Sequence, residues 1–150
     1  MTSPNGVLNV DAALSPGKLL AAWLAPIGRA GAAFRIGDAF PFRLITKIGG
    51  TDYPRVELAE HLMSIHTLSD KLLGYEVAEE NADTTHRAMT TLVRWATPIS
   101  MPDGTTAVVD YTEVVQVQVP VEYDEVGILR WVGRYKLCVS YTFIGSVSSS

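Results

Sequence analysis

The sequence predicts an α+β domain ordered α-β-β-α-β-β. Two helices lie on one face of a mostly antiparallel sheet that ends in a long C-terminal β-ribbon. Two observations predict this. First, Val115, Val117, Val119, Val121 and Tyr123 alternate with Gln116, Gln118, Pro120 and Glu122. Leu129, Trp131, Tyr135, Leu137, Val139, Tyr141 and Phe143 alternate likewise with Arg130, Arg134, Lys136, Ser140 and Thr142. Period two over such lengths marks strands with one buried and one solvated face. Second, two other stretches carry apolar residues at helical spacing, with glycine and proline punctuation between the segments.

Taken in order, residues 1–14 show little periodicity and form an N-terminal arm. Ser15 followed by Pro16 reads as an N-cap with proline at the first helical position. Leu19, Leu20, Trp23, Leu24 and Ile27 then face one way, and Pro26 stops a helix over about 16–25. Residues 28–41, rich in Gly and Ala, read as loop. Phe42, Leu44 and Ile48, with Arg43 and Lys47 opposite, predict a strand, and Gly49-Gly50-Thr51-Asp52 the turn after it.

Two rules disagree over residues 55–66. Helix formers and the spacing of Leu58, Leu62 and Ile65 favour a helix. A strand ending in a Gly-Gly turn wants a hairpin partner next, and that decides for a strand. Leu68, Leu72, Tyr75, Ala78, Ala82, Met89 and Leu92 or Val93 mark one face of a helix over 69–93, with Ser69 as cap and Asp70 in the first turn. Glu76, Glu79, Glu80 and Asp83 make its exposed side acidic. Residues 97–105, with Pro98, Pro102 and Asp103-Gly104, are loop.

The ribbon follows over about 107–143. Glu113 and the Val114-Val115 doublet break its parity, which predicts a bulge there. If the odd-numbered residues of both arms share a face, the connecting loop has an odd residue count. A loop over 124–128 sets Tyr123 opposite Leu129, Val121 opposite Trp131 and Glu122 opposite Arg130, an ion pair worth ~0.2–1 kcal/mol. An arm of about sixteen residues spans roughly 50 Å at ~3.3 Å per residue. A globule of this length is only about 40 Å across. The ribbon is therefore expected to leave the body as an assembly arm, its tip sheltered by a partner. Residues 15–144 form a single domain, and 145–150 a small polar tail.

One hundred and fifty residues suffice for one core without staples. No apolar run is long enough to span a membrane, and residues 1–11 lack the basic start and apolar stretch of a signal peptide. The lone Cys138 leaves no internal disulfide and sits on the polar parity of the ribbon, half exposed. A net charge of -4 argues against duplex binding, although Arg130, Arg134 and Lys136 line one ribbon face as a solvated strand. Gly28-Arg29-Ala30-Gly31 lacks the spacing and lysine of a phosphate loop. His61, His66 and His86 fit no metal-ligand spacing. Ser64, His66 and Asp70 assemble a nucleophile triplet on paper, without a nucleophile elbow around the serine.

Several motifs in succession carry a family resemblance. They are Pro41-Phe42-Arg43 leading to Lys47-Ile48-Gly49-Gly50, Ile65-His66-Thr67 leading into a helix with Thr85-His86-Arg87-Ala88-Met89, and Pro102-Asp103-Gly104. Gln118, Pro120, Tyr123 and Asp124 follow, then Arg130 with Arg134-Tyr135. Over residues 16–143 this order resembles the tail terminator proteins of long, flexible-tailed, siphovirus-type bacteriophages, especially the actinobacteriophage branch.

The resemblance implies a virion structural protein rather than an enzyme, without cofactor, metal or catalytic residues. Such a protein forms a homo-oligomeric, usually hexameric, ring. It caps the tail tube, ends tube polymerisation and meets the head-completion or connector protein at the neck, with DNA only as transiting cargo. The place implied is the virion, after assembly in the host cytoplasm, with no membrane partner. On this reading Tyr123, Val126, Ile128, Arg130, Trp131 and Arg134 form the subunit or partner interface. Glu76, Glu79, Glu80 and Asp83 face the lumen. Another neck or tube ring protein is the alternative within that class. A cone-shaped, isomerase-like enzyme is the rival outside it, with Trp131, Tyr135 and Tyr141 around a pocket and Glu113 as the inward acid.

Overall fold

Ser15 opens the first helix as its position predicts, its hydroxyl accepting from the Lys18 amide at 3.4 Å with proline just inside. That helix, α1, runs Pro16–Leu24 and buries Leu19, Leu20 and Leu24 completely. Each such leucine contributes about 1.5–3 kcal/mol of transfer free energy. The computed structural model describes residues 11–13, 15–35, 37–56, 58–95, 99–100, 106–107, 109–122 and 126–143. The expectations for residues 1–10, 14, 101–105 and 145–150 lie outside the described residues.

The strands are β1 (Asp11–Ala13), β2 (Arg29–Gly31), β3 (Phe42–Tyr53), β4 (Leu58–Asp70), β5 (Ile99–Ser100), β6 (Thr106–Ala107), β7 (Val109–Val121) and β8 (Ile128–Phe143); the second helix, α2, is Tyr75–Trp95. The class is α+β, and the long elements keep the expected succession. Four short strands are interposed, and the main sheet is mixed because β2 runs parallel to β3. Its order is β1-β8-β4-β3-β2, with β7 also paired to β8. β2 lies within residues expected to be loop, and β1 within the expected arm.

Residues 58–70 are strand despite their helix formers, because β4 is central and hydrogen-bonds to β3 and β8 along its whole length. That pairing corrects the projecting ribbon. β8 lies beside β4 from Asp70↔Ile128 to Leu58↔Ser140, so the long arm is part of the body.

The turn after β3 also moves. Gly49 to Asp52 remain in the strand, past a bulge between Lys47 and Gly49, and the chain reverses at a 3-10 turn over Pro54–Val56. Gly50 is needed because a Cβ there would run into the Glu60 carbonyl. The second helix starts later than expected because Ser69 and Asp70 belong to β4. Asp70 instead caps a 3-10 turn, accepting from the Leu72 amide at 3.0 Å, and Leu72 is left 91% exposed.

Both helices lie on the same face of the sheet. α1 sits over β2 and β3, and α2 over β4, β7 and β8. Leu19, Leu20 and Leu24 meet Ile45, Met63, Ile65, Met89, Leu92, Tyr135, Leu137 and Val139 in one core. The indole Trp23 Nε1 donates to the Ala88 carbonyl at 2.9 Å and ties α1 to α2.

Candidate functional site

The parity of β8 is as its alternation predicts: Trp131, Tyr135, Leu137 and Val139 are buried on the helix side, and Arg134 is exposed on the other. β7 does not follow its own alternation. Val121 pairs with Arg130, Pro120 with Trp131 and Val119 with Val132, one residue away from the expected register. Further register shifts occur near Tyr111, between Val114 and Gln116, and between Gln116 and Val119. The second agrees with the predicted bulge. Together they put Gln118 inside at 8% exposure and turn Val117 out at 53%.

The buried Gln118 explains why this register wins over a Glu122–Arg130 pair. Its Nε2 donates to the Ile65 carbonyl at 3.1 Å and to the Tyr135 hydroxyl at 3.4 Å, and its Oε1 accepts from Thr67 Oγ1 at 3.1 Å. Three buried hydrogen bonds at ~0.5–1.5 kcal/mol each outweigh one exposed ion pair at ~0.2–1 kcal/mol.

Arg43 continues the polar network and corrects its expected solvated placement. It is 1% exposed and turns to the helix side. Its Nε donates to Thr85 Oγ1 at 2.8 Å, Nη1 to the Ile27 carbonyl at 2.6 Å and Nη2 to the Asn81 carbonyl at 3.1 Å. Thr85 Oγ1 lies 2.9 Å from Thr67 Oγ1, so the chain of contacts joins Arg43 to Gln118 and Tyr135. Burial pulls the guanidinium down to about 10 and pushes the Tyr135 phenol up. The network fastens α2 to the sheet.

On the opposite face Ser64 and His66 do meet, Ser64 Oγ lying 3.1 Å from Nε2, but Asp70 is not the third member. Arg130 Nη1 stands 2.9 Å from His66 Nδ1. A guanidinium has only donors, so Nδ1 accepts and the ring proton is on Nε2, donating to Ser64. That is the wrong tautomer for activating a serine. Burial, then Arg130 and Arg134, lower the His66 pKa.

The rest of this face is mixed: Phe42 and Leu68, in register with Arg130, and Val132 are buried, while polar groups gather toward its other end. Lys136 Nζ pairs with Glu113 Oε2 at 3.7 Å, and Glu60 accepts from the Tyr111 and Tyr53 hydroxyls. The Tyr111 bond holds the Glu60 carboxyl below its ordinary range and pushes Tyr111 up to about 12. Cys138, expected half exposed, is buried, and burial raises its thiol pKa.

No protein-family model matches the chain, and no curated protein matches it.

The expected interface residues do not form one surface. Val126 is 98% exposed at the hairpin tip, and Ile128 and Arg130 are half-buried. Trp131 points the other way and is covered within the chain, against Ala78, Ala82 and Tyr75. Tyr123 lies outside the described residues. Glu76, Glu79, Glu80 and Asp83 are all exposed on α2. The rival pocket is not assembled: Glu113 is on the open face, and Trp131 and Tyr135 are packed in the interior. A surface hollow is lined in part by Arg29, Arg35 and Asp38, with Asp38 accepting from the Arg35 amide at 2.7 Å and pairing with Arg29 at 3.6 Å. Among the described residues no group of His, Cys, Asp and Glu is placed to hold a metal, and no helix is long and apolar enough to cross a membrane.

What sequence reasoning missed is the apolar outer side of β7. Tyr111, Val115, Val117 and Val121 are exposed there. Their only signal was the doublet at Val114-Val115.

Proposed function

We propose that this chain is a structural ring protein of a phage neck, a tail terminator of the siphovirus type. In this reading copies close on the last ring of the tail tube, end its growth and present a surface to the head-completion or connector protein. DNA passes through the hole as cargo. The motif succession from Pro41-Phe42-Arg43 to Arg134-Tyr135 supports the family.

The observation that carries assembly is the outer side of β7. This strand pairs only with β8 among the described residues and holds Val115, Val117 and Val121 out in solvent. An apolar stripe along a sheet edge is a liability for a lone subunit and an asset for one that meets a neighbour.

Electron microscopy of tails made with and without the protein tests the reading. Tubes of normal length closed by a ring when it is present, and of indefinite length when it is absent, are the expected result. Normal tubes in its absence would overturn it, and long cylinders of the purified protein alone would identify a tube protein.

A further inference from the structure

We infer that the open face of the sheet, at Arg130 and Arg134, receives the acidic side of α2 from a second copy of this chain, front to back. The inference deepens the ring reading and rests on it, because it names the contact that would close the ring.

The helices occupy one face of the sheet, and Arg130, Arg134 and Lys136 project from the other. Toward one end Lys136 is matched by Glu113, with Glu60 nearby. Toward the other, exposed Arg134 and half-buried Arg130 stand beside the outward valines of β7, Val117 and Val121. Across the molecule, α2 exposes Glu76, Glu79, Glu80 and Asp83 and carries no basic residue before His86.

Exposed Arg134 and the anionic helix cannot meet within one chain, since the sheet stands between them. They can meet between chains. From Glu76 to Asp83 a helix advances about 10 Å, and from Arg130 to Arg134 a strand advances about 13 Å, so the charged rows match in length. A contact using unlike patches on opposite sides is heterologous, and such contacts generate rings when the rotation closes. A net charge of -4 favours this occupant over a nucleic acid. The contact also covers the carboxylates assigned to the lumen by the sequence.

Charge reversal tests the contact, with Arg134→Glu on the sheet and Glu79→Lys/Glu80→Lys on the helix. All three positions are exposed, so folding is retained, and circular dichroism checks this. Sedimentation at about 50 mM and about 500 mM salt should show wild-type self-association that weakens with salt. Each variant alone should associate roughly tenfold more weakly or worse. Mixed, the two variants should recover assembly beyond the dimer, because the native pair of faces and the charge-reversed pair are both complementary.

Wild-type protein that stays monomeric at low salt, or variants that associate like wild type, would overturn the contact. So would duplex DNA bound by wild type and released by Arg134→Glu. Tails capped normally by both variants would remove this contact and keep the ring reading. Tails unaffected by loss of the protein would remove the ring reading itself.

Discussion

Gln118 lies directly over Gly133: a Cβ on Gly133 would stand 2.5 Å from Gln118 Nε2 and 2.9 Å from the Tyr135 hydroxyl. The glycine on β8 thus makes room for the one glutamine of β7 that is turned inside. Gly133→Ala should destabilise the fold by about 1–3 kcal/mol through overpacking. Gln118→Ala should cost about 1–3 kcal/mol by leaving Thr67 and the Ile65 carbonyl short of a partner. In the double variant the penalties should overlap, with a coupling of ~0.5–3 kcal/mol by urea denaturation. Simple addition would show that the two residues do not meet.

That pair also marks the limit of what the sequence discloses. Alternation placed Trp131, Tyr135, Leu137 and Val139 of β8 but not the buried Val132 and Cys138 on its other face, and helical spacing placed Leu19, Leu24, Ala78, Ala82 and Met89. β7 was opaque because each register shift flips parity, so Gln118 read as a solvated residue and Val117 as core. Arg43 was opaque for a related reason. An arginine alternating with Phe42 and Leu44 is assigned to solvent unless its three acceptors, on Ile27, Asn81 and Thr85, are known. Strand lengths in β7 and β8 were legible, but the equally long β4 beside them was too ambiguous to reveal that the arm stays in the body.

Arg43 offers a test in which conserving charge is the worse choice. Its buried guanidinium has three acceptors and no carboxylate among the described residues. Methionine removes the buried charge along with those bonds, so Arg43→Met should cost about 1–3 kcal/mol. Arg43→Lys should cost more, since a compact, strongly hydrated ammonium cannot reach all three acceptors. Urea midpoints would decide, and a lysine variant more stable than methionine would refute the fork geometry.

Acid should weaken the fold through two histidines. His61 is buried with neither ring nitrogen hydrogen-bonded among the described residues, and burial, aided by Lys47 and opposed by Asp52, lowers its pKa. His66 is lowered in the same direction. Between these depressed folded values and the ordinary 6.5, the unfolded chain binds more protons than the folded one. Stability should therefore fall as pH drops below about 6.5 and level off beneath the folded midpoints. His61→Leu should raise the melting temperature at neutral pH and flatten that slope. An unchanged slope would mean that His61 is already solvated.

Arg130 should set the tautomer of His66 and, after burial, contribute to its lowered pKa. Nitrogen-15 NMR of the wild-type ring at neutral pH should show the proton on Nε2. Arg130→Gln removes a positive charge 2.9 Å from Nδ1 and should move the His66 midpoint back up toward its ordinary value. An Nδ1-protonated ring in the wild type would reopen the Ser64–His66 pair as a nucleophile and base.

The outer valines of β7 separate folding from assembly. Val117 and Val121 are exposed, so Val117→Thr/Val121→Thr keeps the branched shape suited to a strand while removing apolar surface. Exposed substitutions of this kind usually change stability by no more than about 0.5 kcal/mol. If these valines meet a neighbour, the double variant should melt like wild type yet leave tail tubes uncapped at concentrations where wild type caps them. Combined with Arg134→Glu, its effect should exceed that of either change, since both lie on the same half of the open face. A variant that melts early would put the valines in the core of the subunit, against their exposure. One that melts normally and caps tubes as well as wild type would take β7 out of the contact and leave the charged row to stand alone.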